Sequence, residues 1–280
     1  MTYKTILIEM AVGESNSNLL KVAGDLATRF KASVIGVAAC QPLELVCATG
    51  YYAGDVIQDD RDELQRELDE AEAEFRAVFS TDNVNGALTP AGWHSAVTYG
   101  ALADYVGSFA CEADVILTAG GGRTFPGASR CADTGDLLML AGRPVLLLPR
   151  GNVNFSLERV LVAWKNTRET RRAISDALPL LQLAKHVVLA QFVPVEEIKE
   201  YRETLEGVTR WLQSYDVPVQ CLTLPTTGED PTALKALIEE QQSDLVVAGA
   251  YGHTRMREWV LGGVTRDLLL HESHCSLLSH

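Results

Sequence analysis

The sequence "TILIEMAVGESNSNLLKVAGDLATRFKASVIGV" at residues 5–37 combines an apolar run, a polar loop, a helical pattern and a second apolar run. The same order returns in "RVLVAWKNTRETRRAISDALPLLQLAKHVVLAQ" at residues 159–191, which aligns Ile6 with Val160 and Val34 with Val188. A strand, a helix and a further strand in this order are typical of a βαβ unit in a parallel sheet. The chain therefore predicts one α/β unit used twice.

Later segments repeat as well. "ADVILTAGGG" (113–122) matches "SDLVVAGAYG" (243–252), and "GDLLMLAGRPVLLLP" (135–149) matches "RDLLLHESHCSLLSH" (266–280). The copies lie 154 residues apart at the start (160 − 6) and 130 near the end (244 − 114), so the first copy carries about 24 extra residues within 41–80. We predict two tandem domains, 1–150 and 156–280, divided by the polar segment "PRGNVNFSLE" at 149–158.

Alternating apolar runs and helical patterns predict five strands and four helices in each copy. The predicted strands are 5–10, 33–39, 88–93, 114–119 and 144–148, then 159–164, 187–193, 218–224, 244–249 and 275–279. The predicted helices are 15–30, 60–79, 97–111 and 130–141, then 168–184, 195–215, 231–242 and 263–272. The fold class is therefore α/β, with an open five-stranded parallel sheet in each domain.

Composition excludes several classes of protein. The formal net charge of −13 argues against broad nucleic-acid binding, because affinity for the phosphate backbone comes from Lys and Arg. No run of 18 apolar residues predicts a membrane span, and "MTYKTILIEM" lacks the regions of a signal peptide, so we expect a cytoplasmic location. The six cysteines contain no C-x-x-C pair, which argues against a zinc ribbon or a dithiol redox site.

The loop "GAYGHTRMREWVLGGVTRDLL" at 249–269 is the main candidate site, because it joins a predicted strand to a predicted helix. Its first two glycines let backbone N–H groups approach a phosphate, and its later glycines stand at the start of the next helix. Further contacts are expected from basic side chains and a hydroxyl. The candidate residues of this loop are Gly249, Gly252, His253, Arg255, Gly262, Gly263, Val264 and Thr265.

A plainer interpretation gives these glycines only turns to make and leaves the basic residues solvated. The sequence contains no G-x-x-x-x-G-K-[ST], no G-x-G-x-x-G after the first strand of either copy, no G-x-S-x-G and no H-E-x-x-H. No nucleophile, base and orienting group stand at a recognisable spacing. We therefore predict no catalytic residue.

The chain resembles a tandem universal stress protein, in which two adenine nucleotide α-hydrolase-like, Rossmann-like domains are fused. Members that bind ATP carry G-x-x-G, nine residues and G-[ST] after the fourth strand, and Gly249, Gly252 and Gly262 match this spacing. The resemblance implies binding of ATP, ADP or AMP, with or without Mg²⁺, and adenine against the backbone near Val188–Ala190. Because the sequence shows no motif-level general base, at most slow ATP hydrolysis is expected. It also implies that the two domains pair through their last strands about a pseudo-twofold axis. Pairing of two such chains as a homodimer is left open.

The chain departs from this family pattern in two ways, the first shared by both domains and the second confined to the first domain. The family places an aspartate at the end of the first strand, where this chain has Ala11 and Lys165. Lys165 is interpreted as a phosphate contact, a partner of a carboxylate or a surface lysine. In the first copy the motif positions hold Ala119, Gly122, Cys131 and Ala132. The second domain is therefore the predicted nucleotide site.

These observations predict a stress-response regulator that binds an adenine nucleotide in its second domain and acts on an unidentified protein partner. The alternative is a nucleotide-independent scaffold or chaperone-like module with vestigial pockets, which the missing aspartates favour. An adenylyl-transferring enzyme is the third interpretation, and the absence of S-G-G-x-D-S after the first strand disfavours it.

Other features carry weaker predictions. His271, His274, Cys275 and His280 are ligand types that suit zinc, but they are expected at opposite ends of a strand, so no metal site is predicted. His94 is interpreted as structural or as lining a cleft. Asp133 and Asp136 are expected to begin a helix. The charged segment 61–79 predicts a solvated helix face, and 43–56 a hairpin or a flap.

Overall fold

The computed structural model describes residues 2–42, 53–79, 92–119, 130–151, 155–226, 230–251, 268 and 274–280. They divide into two compact units, Tyr3–Arg143 and a second that contains Pro144–His280. Each unit alternates strands with helices, and nearly all strand pairs are parallel. The predicted α/β fold class is confirmed.

The first unit holds four parallel strands in the order β3-β2-β1-β4. The strands are β1 (Thr5–Met10), β2 (Ser33–Cys40), β3 (Trp93–Val97) and β4 (Val115–Ala119). The helices are α1 (Ser17–Phe30), α2 (Ala53–Phe79), α3 (Leu102–Ser108) and α4 (Thr134–Leu140). Strand β1 lies between β2 and β4 and is almost entirely buried, which explains its continuous apolar sequence.

The second unit holds six strands in the order β5-β10-β9-β6-β7-β8. The strands are β5 (Val145–Leu148), β6 (Arg159–Ala163), β7 (His186–Val193), β8 (Val219–Pro225), β9 (Leu245–Gly249) and β10 (Cys275–Ser279). The helices are α5 (Arg168–Leu181), α6 (Ile198–Gln213) and α7 (Asp230–Gln241). The predicted helix at 263–272 lies outside the described residues, except for Leu268, which is helical.

Strand β5 pairs antiparallel with β10, with Leu147 opposite Ser276 and Val145 opposite Leu278. The last strand of the first repeat therefore pairs with the last strand of the second, as the family resemblance implies. This pairing places the division between the compact units before Pro144. The predicted boundary of the sequence repeat at 149–158 stays a prediction.

The register of the sheet corrects one detail of the sequence alignment. Ile6 pairs with Val34, whereas the equivalent Val160 pairs with Val187. Val34 in the first repeat is therefore equivalent to Val187 in the second, a separation of 153 residues (187 − 34) instead of the 154 found at the first strand. The sequence alignment of Val34 with Val188 is one residue out.

One aspartate in each unit fixes the amino end of the sheet. Asp114, just before β4, accepts hydrogen bonds from the backbone N–H groups of Lys4 at 2.6 Å and Thr5 at 3.0 Å. Asp244, just before β9, accepts from the N–H groups of Glu158 at 2.7 Å and Arg159 at 3.3 Å. Each carboxylate satisfies donors at the start of the neighbouring strand, so the repeated Asp holds the two central strands in register.

Several element boundaries differ from the prediction, most clearly those of β3 and α2. Strand β3 begins at Trp93, because the Trp93 ring packs over Gly36 and against Phe75, with ring centroids 5.4 Å apart; residues 88–91 of the predicted strand lie outside the described residues. Helix α2 begins seven residues early, so 53–56 of the predicted flap are helical and 43–52 lie outside the described residues. Helix α4 begins at Thr134 rather than at 130, and Asp133 caps it by accepting from the Asp136 N–H at 2.9 Å, so Asp133 and Asp136 lie at the helix start as expected.

Candidate functional site

The carboxyl edge of each unit, meaning the residues that follow its parallel strands, is where ligands bind in open α/β sheets. In the first unit this edge includes residues 11–16 after β1 and 130–132 before α4. In the second unit it includes 164–170 after β6 and Ala250 and Tyr251 after β9.

Glu9 is a buried carboxylate near the carboxyl edge of the first unit, with 4% of its surface exposed. It accepts a short hydrogen bond from the Thr118 hydroxyl of β4 and a second, of 2.9 Å, from the backbone N–H of Ala132. Ala132 stands at one of the motif positions of the first copy, and its backbone N–H is therefore already hydrogen-bonded to a carboxylate of the same chain. Sequence reasoning missed Glu9, although an acidic residue inside the apolar run "TILIEM" is a visible signal.

Side chains also close the end of β1. The Asn16 side chain accepts from the Ala11 N–H and donates to the Ala11 carbonyl, both at 2.9 Å. The Glu74 carboxylate of α2 accepts in turn from the Asn16 backbone N–H at 2.9 Å. Ala11 stands where the family has its aspartate, and both its backbone N–H and its carbonyl are therefore hydrogen-bonded within the chain.

A third contact ties α2 to the segment before α4. Arg130 donates to Glu67 at 2.7 Å, and the Val12 N–H donates to the Arg130 carbonyl at 2.9 Å. The hydrogen bond to Glu67 raises the pKa of Arg130 despite partial burial, and nearby Asp60 acts in the same direction. The Arg130 guanidinium is thus paired with an acidic side chain of its own unit, Glu67.

The second unit has small residues where the first has Glu9 and Thr118. The equivalent positions, at separations of 154 (163 − 9) and 130 (248 − 118), are Ala163 and Ala248, which pair with each other across β6 and β9. Neither methyl group can accept a hydrogen bond. The internal carboxylate that fills the first unit therefore has no counterpart at this place in the second.

Gly249 is the one motif glycine among the described residues, and it ends β9. A Cβ atom there would lie 2.6 Å from the carbonyl carbon of Glu169 and closer still to the backbone nitrogen of Thr170. The first turn of α5 packs directly on this glycine. Close approach of helix and strand thus requires a glycine here, whether or not a ligand is bound.

Positive side chains cluster after β6. Lys165 is exposed two residues beyond the strand, and its carbonyl accepts from the Thr167 N–H at 2.6 Å. Arg168 and Arg171 follow on the first turn of α5, where Arg171 donates to the Asn166 side chain at 2.8 Å. At a separation of 154 residues, the first unit has no basic residue in these three places.

One carboxylate lies among these cations. Burial raises the pKa of Glu169, but hydrogen bonds from its own backbone N–H and the Thr167 hydroxyl, together with the charges of Arg168 and His280, outweigh this and lower the pKa. Glu169 therefore remains ionised at the start of α5 and offsets part of the local positive charge.

Val188, near which the resemblance implies a backbone contact with adenine, does not follow the second strand of its repeat, and the contact itself stays a prediction. Val188 lies inside β7, where it pairs with Leu161 on one side and Gln220 on the other. The neighbouring strands take up its backbone hydrogen bonds, and β7 continues to Val193.

The remaining predicted loop residues lie outside the described part of the chain. These are Gly252, His253, Arg255, Gly262, Gly263, Val264 and Thr265. Their proposed roles stay predictions from the sequence.

The histidines of the weaker predictions have identifiable positions. His94 stacks on Phe109 with ring centroids 4.2 Å apart, which is a structural contact. His274 precedes β10 and His280 follows it, at opposite ends of the strand as expected, and His271 lies outside the described residues. Within the described ranges, no three His, Cys, Asp or Glu side chains converge as a metal ion requires.

No family model and no curated protein match the sequence. Among solved structures, a universal stress protein from Archaeoglobus fulgidus DSM 4304 superposes with a TM-score of 0.65 at 14% identity, covering 98% of this chain and 97% of that chain. A candidate universal stress protein from Pseudomonas aeruginosa UCBPP-PA14 gives a TM-score of 0.58 at 16% identity, covering 99% and 93%. The fold is that of the universal stress proteins. At these identities the similarity shows the fold alone.

None of the helices in the described ranges combines the length and the apolar character that a membrane crossing needs.

Proposed function

We propose that the protein is a tandem universal stress protein whose second unit binds an adenine nucleotide (ATP, ADP or AMP) as a regulatory signal. The first unit is a partner domain that binds no nucleotide. The activity is binding rather than turnover, and the protein works in the cytoplasm through a protein partner.

The observation that carries the proposal is that equivalent positions of the two units hold Glu9 in the first and Ala163 in the second. In the first unit the Glu9 carboxylate takes the N–H of Ala132, so an anion from the chain itself already occupies this place. In the second unit β6 supplies only Ala163. A ligand phosphate is the anion that the glycine-rich segment after β9 would then accept.

Charge supports the same assignment. Lys165, Arg168 and Arg171 lie on and before the first turn of α5, where the helix dipole also favours an anion. The equivalent edge of the first unit instead carries Glu67 and Glu74 beside Arg130. A nucleotide phosphate is attracted to the second edge and repelled from the first.

The first test is to denature the purified protein, identify released small molecules by mass spectrometry, and titrate ATP, ADP and AMP into ligand-free protein with Mg²⁺ by calorimetry. We expect micromolar binding that Gly252→Val abolishes, since a branched side chain blocks approach of the backbone to phosphate. The matched control is Gly122→Val at the equivalent place in the first copy, which should bind like the parent. Flat titrations with an empty protein would overturn the proposal.

A nucleotide-independent scaffold is the second candidate. Packing of α5 on Gly249 accounts for that glycine without a ligand, and Lys165 stands where the family has its aspartate. Under this candidate all three titrations are flat, and Gly252→Val leaves partner binding unchanged.

A further inference from the structure

Two unpaired polar side chains lie in one row across the second sheet. Ala163 pairs with Ala190 in β7 and with Ala248 in β9. The residues that follow these three form the next row, on the opposite face of the sheet because side chains alternate along a strand. Its members are Trp164, Gln191 and Gly249. Since Gly249 packs on the first turn of α5, the row faces that helix at the carboxyl edge.

The indole nitrogen of Trp164 and the amide oxygen of Gln191 are both buried, and within the described part of the chain neither has a hydrogen-bond partner. The residues are 6% and 3% exposed, respectively. A buried polar atom without a partner is costly, and native proteins nearly always pair such atoms. Two of them side by side indicate that a partner is missing from the ligand-free protein.

The first unit shows that the fold does not need polar groups in this row. The equivalent residues, Met10 and Ala38, pair directly across β1 and β2. Both are fully buried and apolar. Where the first unit has the apolar pair Met10 and Ala38, the second unit therefore has a hydrogen-bond donor and an acceptor. This difference indicates a role in ligand binding rather than in packing of the core.

The two atoms are complementary to the edge of a nucleobase. Trp164, directly after β6, offers an N–H donor, and Gln191 in β7 offers a carbonyl acceptor; neighbouring strands of a sheet lie about 4.8 Å apart. A 6-aminopurine presents the matching pair, a ring nitrogen that accepts beside an amino group that donates. We propose that the Trp164 indole N–H donates to a ring nitrogen of the adenine base and that the Gln191 amide oxygen accepts from its 6-amino group. This inference rests on the proposed function.

Gln191 lies nearer than Val188 to the carboxyl end of β7. Backbone groups inside β7 are taken up by β6 and β8, whereas the Gln191 side chain projects toward the α5 face near the end of the strand. Ser279 also has a buried hydroxyl without a partner among the described residues, but it lies beyond Gly249, where α5 packs. It is assigned no contact with the base.

The experiment compares AMP with the 5′-monophosphate of purine riboside, which lacks only the 6-amino group, by calorimetry on the ligand-free full chain. We expect the parent protein to bind AMP about tenfold more tightly, because the analogue leaves Gln191 unpaired. Gln191→Leu should abolish this preference, while Trp164→Phe should weaken both ligands about tenfold. The control is Thr223→Val, which changes the residue paired with Gln191 in β8 and should keep the preference.

The outcomes separate this inference from the proposed function. Loss of the preference in Gln191→Leu, with AMP still bound, supports base recognition by Gln191. Equal binding of AMP and the analogue by the parent, or a preference that survives Gln191→Leu, overturns the inference and leaves nucleotide binding intact. Failure of the parent to bind either ligand overturns both.

Discussion

Substitution of Gly249 by alanine tests how tightly α5 is seated on β9. The added Cβ would lie 2.6 Å from the Glu169 carbonyl carbon, against about 3.4 Å for ordinary contact. The first turn of α5 must therefore move by at least about 0.8 Å (3.4 − 2.6), and the obstructing atoms are backbone rather than the end of a flexible side chain. Overpacking of this kind costs about 1–3 kcal/mol.

Urea unfolding of the full chain, followed by circular dichroism, measures the effect of Gly249→Ala on the free energy of unfolding. The control is Gly207→Ala in the interior of α6, where a Cβ meets nothing within 4 Å. The control should stabilise the protein by about 0.5–1 kcal/mol, because alanine is the better helix former. A loss below about 0.5 kcal/mol in Gly249→Ala would refute the reasoning that helix packing fixes this glycine.

Three further predictions concern buried and charged groups. Glu9→Ala should lower the unfolding free energy by about 2–4 kcal/mol in urea, since it leaves two buried donors unpaired; a change below 1 kcal/mol would contradict this. Native thiol labelling at pH 8, mapped by mass spectrometry, should modify exposed Cys221 but spare Cys275, whose pKa burial raises to about 12; equal labelling would contradict it. Because the folded-state pKa of Glu169 is lowered, its contribution to stability is present above the unfolded pKa and is lost as pH falls through the folded pKa. Glu169→Gln should therefore destabilise at pH 7 and lose its effect in acid, and an effect independent of pH would refute the assignment.

The sequence predicts the fold well because the repeat and the apolar runs report burial directly. Predicted strand 5–10 and the observed β1 coincide, as do 275–279 and β10. The third strand was misplaced because its start depends on Trp93 packing over Gly36, a contact between residues distant in sequence. Local patterns contain no information about such a contact.

The candidate site was harder to predict for a similar reason. The sequence does not distinguish a glycine needed for close approach of a phosphate from one needed for close packing of a helix. Gly249 is needed at least for the packing of α5. Glu9 and Gln191 were visible as polar residues inside apolar runs, but only the sheet register shows that Glu9 is paired and that Gln191 is not. The equivalent positions of the other repeat hold Ala163 in place of Glu9 and Ala38 in place of Gln191.

In the proposed function the two units are unequal: side chains of the first unit occupy its own carboxyl edge, whereas the second unit binds a nucleotide. The number of nucleotides bound per chain tests this claim most directly, and equilibrium dialysis of the full chain against saturating radiolabelled ATP measures it. We predict one nucleotide per chain. Two per chain would contradict closure of the first unit by Glu9, and none would contradict nucleotide binding by the second.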